Sequence, residues 1–272
     1  SSIDIIFLYL ACIKTNKTPI LFQTSWSKHE LDYLINKYKI THIISEWKSK
    51  NLFDQDATIY YLEELINSSR GCGVPIHSDS NSNPECILFT SGSTGFPKAV
   101  SLDLRNFYHS GIGWNEKIQF NNSDSYLLCL PIYHISGISI LYRAIYYKFN
   151  IQIIDNYRDL IKHSGTIISL VPSILNRLIE DSSYTEKLSS FRAIIIGGEP
   201  AEISTLEKCL EMNFNVFICY GMTETCSGIA GFWIKDYPDA LSSVGQPFNG
   251  VTVSIINNYI GITSSMNMRG YY

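Results

Sequence analysis

The chain has 272 residues, of which 45% are hydrophobic, 13% aromatic and 17% charged, and this composition excludes an intrinsically disordered protein. Lys and Arg number 21 against 25 Asp and Glu, a net charge of −4, so no net basic field exists to hold nucleic acid or an anionic membrane non-specifically. The seven cysteines form no Cys-x-x-Cys pair, which argues against zinc-ribbon and thioredoxin-like sites and favours a reducing compartment.

The amino terminus shows no targeting segment. Ser1-Ser2-Ile3-Asp4 lacks a basic region, and the apolar stretch Ile5–Ile13 is too short to span a bilayer. We therefore expect a cytoplasmic protein without a membrane span. Because the first residue is Ser, the chain is interpreted as a piece of a longer protein.

Strands and helices alternate along the chain. Thr18–Phe22 is predicted as a short strand, and Ser27 with Glu30 predicts a helix that begins with a capping box. The helix's buried stripe consists of Leu31, Leu34, Ile35 and Tyr38. The further predicted strands are Thr41–Ser45, Cys86–Thr90, Ser125–Leu130, Asn150–Asp155, Thr166–Leu170, Arg192–Gly197 and Asn215–Tyr220.

Most of these strands are continuous apolar runs, which is typical of a parallel sheet covered by helices on both faces. The sequence therefore predicts an α/β fold with doubly wound, mainly parallel sheets in a layered sandwich. The polar stretch Asn67–Pro84 is the predicted internal boundary. In such sheets ligands bind beyond the carboxyl ends of the strands, so the polar segments that follow the strands are the candidate sites.

The first of these segments follows the strand Cys86–Thr90. It is Thr90-Ser91-Gly92-Ser93-Thr94-Gly95-Phe96-Pro97-Lys98. Glycines let the backbone approach a phosphate, hydroxyls and amides supply neutral donors, and Lys98 adds one positive charge. The spacing differs from the common phosphate-loop pattern. The composition of this segment alone favours a solvated hairpin. The complete nine-residue string is much more specific than its composition. We expect the segment to form a mobile loop.

The second segment is Tyr220-Gly221-Met222-Thr223-Glu224-Thr225. The Tyr220 ring suits stacking on a planar base, and Thr223 and Glu224 suit a phosphate and its metal ion. The alternative is a strand end followed by a capped helix start, with Thr223 or Thr225 as the cap.

Two more polar turns follow strands. Leu130–Gly137 contains His134, for which a core or helix-start position is the alternative to catalysis. Ile196–Pro200 ends a strand in a tight turn, for which the alternative is a plain strand-to-helix connection with Pro200 early in the helix.

Four such turns in this order resemble the large amino-terminal domain of the adenylate-forming acyl-CoA ligases. Thr90–Lys98 is similar to the family's T-S-G-[ST]-T-G-x-P-K signature, but Ala99 replaces the Gly that usually follows. Tyr220–Glu224 resembles Y-G-x-T-E, Gly197–Pro200 resembles G-G-x-P, and Ser243–Gly250 resembles a later string of the family. A narrower resemblance, through Leu130–Tyr147 and Ser169–Ser173, is to the o-succinylbenzoate–CoA ligases of menaquinone and phylloquinone synthesis.

The resemblance implies an AMP-forming acid–CoA ligase that uses ATP, Mg²⁺ and CoA. Phosphate cradling is implied for Thr90–Lys98 and α-phosphate binding for Thr223. Glu224 is the implied Mg²⁺ ligand, and Tyr220 the base-stacking ring. The implied adenine-site residues are Gly198, Glu199 and Pro200, and the implied catalytic residues are His134, Lys98 and Thr223. Gly221 and Met222 complete the implied nucleotide site.

On the acid side, the resemblance places His134 between the acyl pocket and the thioester tunnel. Ser136, Arg143 and Ser173 are the candidate substrate residues, since the planar guanidinium of Arg143 suits a carboxylate. An equally weighted alternative makes Arg143 a helix residue paired with a structural carboxylate.

The resemblance divides the chain into a partial α/β subdomain (1–82), a nucleotide- and acyl-binding α/β subdomain (83–240) and the start of a β-rich segment (241–272). An opening amino-terminal segment and a small carboxy-terminal domain with the adenylation lysine are expected to be absent, so we expect the 272-residue chain alone to be poorly active. Open alternatives are a ligase for another small carboxylic acid, a non-catalytic nucleotide-binding remnant, a homodimer and a plastid location.

Overall fold

The structure, a computed structural model, describes residues 2–46, 57–68, 86–90 and 96–272. The helices are α1 (Ile3–Lys14), α2 (Lys28–Lys37), α3 (Leu62–Ser68), α4 (Leu104–Ile118), α5 (Ile135–Tyr147), α6 (Pro172–Glu180), α7 (Thr185–Ser190) and α8 (Ile203–Glu211). The strands are β1 (His42–Ser45), β2 (Thr58–Tyr61), β3 (Cys86–Thr90), β4 (Lys98–Leu102), β5 (Ser125–Leu128), β6 (Asn150–Ile153), β7 (Ile167–Leu170), β8 (Ala193–Ile196), β9 (Val216–Met222), β10 (Ser227–Trp233), β11 (Gln246–Pro247), β12 (Val251–Ile256), β13 (Tyr259–Ser264) and β14 (Gly270–Tyr271).

The main sheet has seven strands in the order β11-β10-β9-β8-β7-β5-β6. The five strands from β9 to β6 in this order are parallel, and β10 and β11 are antiparallel at the other edge. All four residues of β8 are buried, because helices cover both faces of the sheet. The predicted α/β fold is therefore confirmed, with a mixed rather than uniform sheet.

Two apolar clusters lie on opposite faces of this sheet. One packs α4 and α5 against the sheet through residues such as Trp114 and Ile140. The other packs α6 and α8 against it through residues such as Leu175 and Leu206. Alternate residues of one strand divide between the two, as Tyr126 and Leu127 of β5 do, which is the period of an extended chain.

A second, antiparallel sheet has the order β14-β4-β3. Cys86–Thr90 was expected in the rhythm of the parallel sheet, but the structure pairs it with β4, a strand that the apolar-run pattern did not predict. Thr90 pairs with Lys98, so both ends of the expected mobile loop Thr90–Lys98 belong to strands. Its central residues Ser91–Gly95 lie outside the described residues.

The amino-terminal region confirms one prediction and corrects another. The Ser27 hydroxyl accepts a bond from the Glu30 amide at 3.3 Å, and the Glu30 carboxylate accepts one from the Ser27 amide at 2.8 Å, which completes the predicted capping box. Thr18–Phe22 is not a strand but makes a single parallel bridge, between Ile20 and Ile87. Pro19 lacks an amide proton, so the pairing cannot extend through it.

Asn67–Pro84, the predicted internal boundary, begins inside α3, and residues 69–84 lie outside the described part. The division at 82/83 stays a prediction. The β-rich segment after residue 240 is present as β11 to β14. Within the described ranges, no helix is long and apolar enough to cross a membrane.

Candidate active site

Polar turns gather where the parallel strands β5, β7, β8 and β9 end. Each of these strands is buried and is followed by a turn. Because parallel strands end on the same side of the sheet, the side chains of the different turns lie close to one another there. This edge carries Leu130–Gly137 after β5, Val171–Ser173 after β7 and Gly197–Pro200 after β8. The predicted segments after these strands are therefore neighbours.

The turns after β7 and β8 are joined directly. The Ser173 amide donates a hydrogen bond of 2.7 Å to Oε1 of Glu199. Hydrogen bonding from the Ser173 side chain, and then from this amide, lowers the pKa of the Glu199 carboxyl. Gly198 has a φ of +89°, which L side chains rarely adopt. Glu199 and Pro200 are exposed, so the turn offers an accessible surface beside Ser173.

The segment Tyr220–Thr225 does not follow β9, as predicted, but begins inside it. Tyr220, Gly221 and Met222 are the last three residues of the strand, and a single 3₁₀ turn, Thr223–Thr225, leads towards β10. The Thr225 hydroxyl accepts from the Met222 amide at 3.0 Å. Thr225 thus stabilises the turn from within. Thr223 and Glu224 lie half-buried at its tip.

Glu224 connects this turn to the second sheet. Its Oε1 lies 3.1 Å from the Tyr271 hydroxyl and 3.5 Å from the Thr90 hydroxyl, and both donate to it. The Lys98 ammonium lies 5.3 Å from the centroid of the Tyr271 ring. The fold therefore brings together Thr90, Lys98 and Glu224, although more than 100 residues separate the two motifs. Ser91, Gly92, Ser93, Thr94 and Gly95 lie outside the described residues.

His134 stands at the amino-terminal cap of α5, but its side chain makes no capping bond. The ring is half-buried, and desolvation lowers the pKa of His134, which favours the neutral imidazole at pH 7. Ser136, two residues further on, is exposed. Both residues lie at the same edge of the sheet as Ser173.

The protein-family model described as AMP-binding enzyme matches residues 1–272. This chain belongs to the AMP-binding enzyme family. It is 29% identical over 259 residues to the 2-succinylbenzoate–CoA ligase of Bacillus pumilus, covering 93% of this chain and 53% of that protein. It is 38% identical over 181 residues to the Staphylococcus aureus enzyme of the same name, covering 63% of this chain and 36% of that protein.

Solved structures of such enzymes share the fold. The Bacillus subtilis O-succinylbenzoate coenzyme A synthetase (MenE), solved in complex with ATP and magnesium ion, superposes with a TM-score of 0.90 at 24% identity. The match covers 100% of this chain and 60% of that one. The chain spans about half the length of the curated relatives it matches.

For a member of the AMP-binding family, the residues at this edge fit a magnesium nucleotide. Within the described ranges, no group of three or more His, Cys, Asp and Glu residues could hold a metal ion by itself. Glu224 offers a carboxylate next to Thr90, with one oxygen bonded to two hydroxyls. A single carboxylate is the usual protein contribution where Mg²⁺ also rests on substrate phosphates.

Arg143 lies deeper than the other candidates and is only 3% exposed. One terminal nitrogen donates to the hydroxyls of Ser139 at 2.9 Å and Ser227 at 3.0 Å, and the guanidinium stacks 4.4 Å from the Trp114 ring. No carboxylate pairs with it among the described residues, so the structural ion pair considered as the alternative is not present. Two buried donors here, Nε of Arg143 and Nε1 of Trp114, have no acceptor among the residues that the structure describes.

Sequence reasoning missed several residues that shape this site. Tyr271 holds Glu224, and Trp114 and Ser227 hold Arg143. An aromatic residue beside a glycine at 270–271 and a tryptophan on a helix carry no local signal of such contacts. They become visible only when distant strands pair.

Proposed function

We propose that this chain is the nucleotide- and acid-binding part of an ATP-dependent acid–CoA ligase that works through an acyl-adenylate. The proposed acid is o-succinylbenzoate, and the proposed product is its CoA thioester, which belongs to menaquinone or phylloquinone synthesis. Support comes from relatives named 2-succinylbenzoate–CoA ligase. ATP, Mg²⁺ and CoA are the proposed co-substrates and metal.

One observation carries the proposal: the meeting of Thr90, Lys98 and Glu224 at the carboxyl edge of the sheet. A carboxylate that attacks a triphosphate meets like-charge repulsion, so the site must neutralise phosphate charge and hold the two reactants in line. A cation, hydroxyl donors and a metal-binding carboxylate in one place satisfy that need.

The residues of the nucleotide site divide this work. Lys98 and the hydroxyls of Thr90–Thr94 would bind the β- and γ-phosphates, and Thr223 would donate to the α-phosphate. Glu224 would hold Mg²⁺, which when bound spreads the negative charge of the phosphates. Adenine would lie against Gly198–Pro200 with the Tyr220 ring on its face.

The proposed binding of the acid depends on the buried guanidinium of Arg143. A guanidinium without a carboxylate partner is costly inside a protein, and within the described ranges Arg143 and Trp114 each keep a donor without an acceptor. A second carboxylate on the substrate would fill both needs, while Ser136 and Ser173 would add neutral donors nearer the strand ends. Neutral His134 would stand beside the reacting carboxyl group, where the CoA thiol enters.

We place the reaction in the cytoplasm. Support comes from the sequence, in which the seven cysteines form no Cys-x-x-Cys pair. A homodimer stays a prediction that sedimentation of the protein can check.

ATP–pyrophosphate exchange in the full-length gene product that contains this chain tests the function. The expected result is exchange with o-succinylbenzoate, and much less with aromatic acids that carry one carboxylate. Glu224→Gln should lower the rate by about 10²–10³-fold, as loss of one charge-stabilising group does. Glu207→Gln, an exposed change in α8, should leave it unchanged.

Exchange with another small acid would keep the ligase and replace the substrate. No exchange with any acid, together with no binding of ATP, would contradict the ligase proposal. ATP binding without exchange would favour a non-catalytic nucleotide-binding protein.

A further inference from the structure

Tyr271 touches two groups of opposite charge. Its hydroxyl donates to Glu224 Oε1 at 3.1 Å, and its ring lies 5.3 Å from the Lys98 ammonium. The residue belongs to β14, which pairs antiparallel with β4, the strand that begins at Lys98. The backbone therefore fixes Tyr271 beside Lys98, and the side chain reaches Glu224.

The segment that contains Tyr271 makes two hydrogen bonds to Glu224. The Met268 amide donates to the Glu224 carbonyl at 2.8 Å, three residues before the Tyr271 hydroxyl reaches its carboxylate. Thr90 shares Oε1 with Tyr271. Both hydroxyls thus occupy one oxygen, and within the described part of the chain no hydrogen-bond donor contacts Oε2.

Lys98 and Glu224 could neutralise each other. Opposite charges in a half-buried cleft attract more strongly than in bulk water, yet no ion pair joins these two side chains in the structure. The Tyr271 ring offers the ammonium a cation–π contact, and the hydroxyl offers the carboxylate a hydrogen bond. One side chain satisfies both groups separately.

We propose that Tyr271 is a positioning residue that keeps Lys98 and Glu224 apart and turns the second carboxylate oxygen of Glu224, Oε2, towards the divalent cation of a nucleoside triphosphate. This inference rests on the proposed function, because it needs a metal nucleotide at Glu224. Lys98 then stays available to phosphate oxygens. Removing only the hydroxyl affects the carboxylate, whereas removing the whole ring also releases the ammonium.

Isothermal titration of ATP with and without Mg²⁺ separates these roles in the full-length gene product. Tyr271→Phe should bind ATP alone as the unchanged protein does, but the gain in affinity that Mg²⁺ provides should fall by about tenfold, as when a metal-ligating carboxylate loses a hydrogen-bond donor. Tyr271→Ala should also weaken metal-free binding of ATP, because Lys98 then pairs with Glu224. Tyr272→Phe is the matched control and should behave as the unchanged protein.

A double variant tests the capture of Lys98. Tyr271→Ala combined with Glu224→Gln should recover metal-free ATP affinity, since the ammonium has no carboxylate left to pair with. An unchanged Mg²⁺ gain in Tyr271→Phe, or no recovery in the double variant, would overturn the proposal. Absence of Mg²⁺-dependent ATP binding in the unchanged protein is a different result, and it would count against the proposed function. Thermal melting of each variant without ligand checks that the fold is kept.

Discussion

At the residue scale, Gly221 has a packing role that is separate from any ligand. A Cβ built at this position would lie 2.0 Å from the carbonyl oxygen of Ser227, across the β9–β10 pair. The obstacle is backbone, so it cannot move aside as a flexible side chain would. The close approach of the two strands therefore requires glycine here.

Gly221→Ala should lower the free energy of unfolding by about 1–3 kcal/mol, the usual cost of overpacking. Gly111→Ala in α4 is the control, because the nearest atom to its Cβ would be a Tyr146 ring carbon at 3.4 Å, an ordinary contact, and alanine stabilises a helix interior by about 0.5–1 kcal/mol. Urea denaturation measures both. Equal stability of the two variants would contradict the packing explanation.

Two arginines of this chain are held in different ways, one by a buried carboxylate and one without such a partner among the described residues. Arg192 forms an ion pair with Asp124, which is itself 2% exposed. Arg143 has only hydroxyl partners and an aromatic face. An unpaired buried cation costs stability, so its retention suggests a functional role.

Arg143→Leu should leave the free energy of unfolding unchanged or raise it, while kcat/KM for o-succinylbenzoate falls by the equivalent of about 2–5 kcal/mol, as when one partner of a buried charged pair is lost. Arg192→Leu should show the reverse: about 3 kcal/mol less stability, because Asp124 stays buried without its partner, and kinetics that change little. Urea denaturation and steady-state kinetic assays on both variants distinguish a functional role of each arginine from a structural one. A destabilised Arg143→Leu with normal kinetics would make Arg143 a structural residue.

At the element scale, the sequence predicts only the first strand of two hairpins, β3–β4 and β9–β10. Apolar runs located the outgoing strands β3 and β9, but the returning strands β4 and β10 were missed. β10 contains Gly228 and Gly231, which weaken a strand pattern. The structure explains both, since a Cβ at Gly228 would meet the Trp114 ring at 2.6 Å, and one at Gly231 would meet the Ile218 carbonyl oxygen at 2.4 Å and the Phe217 ring at 2.6 Å. The space next to this strand is filled by distant aromatic rings, and local pattern cannot show that.

The same limit applies to the candidate site. The strand-end rule predicts that the polar turns after the parallel strands are candidate sites, and the structure joins two of these turns through the bond from the Ser173 amide to Glu199. The neighbourhood of Glu224 depends instead on β14 pairing with β4, which joins Tyr271 to Val100 across the sequence. Such non-local pairing is set by the packing of the whole molecule.

At the scale of the whole molecule, the two ends of the parallel strands in the main sheet have different roles. The candidate site lies at their carboxyl ends. At their amino ends, Asp124, just before β5, connects neighbouring elements. Its carboxylate accepts bonds from the Asn121 amide at 2.9 Å, the Thr166 hydroxyl at 3.0 Å and Nε of Arg192 at 2.5 Å. These partners come from the turn after α4 and from the starts of β7 and β8, so one buried carboxylate joins several elements.

Burial by itself raises the pKa of Asp124, but hydrogen bonds from Arg192, Asn121 and Thr166 outweigh it and leave the pKa below 3.8. A carboxyl whose pKa is lowered on folding contributes stability above its unfolded pKa and loses it as the pH falls through the folded value. Asp124→Asn should therefore cost about 2 kcal/mol at pH 7, less than a fully buried pair because Arg192 is partly exposed. The difference from the unchanged protein should shrink below about pH 3.8.

Urea denaturation at several pH values measures this difference, with Asp236→Asn, an exposed change, as the control. The KM for ATP should be the same in Asp124→Asn and in the unchanged protein, because the carboxylate lies at the edge of the sheet opposite to Glu224. A constant stability difference down to pH 2 would show that Asp124 acts through packing and not through its charge. A raised KM for ATP with unchanged stability would mean that the two edges are coupled.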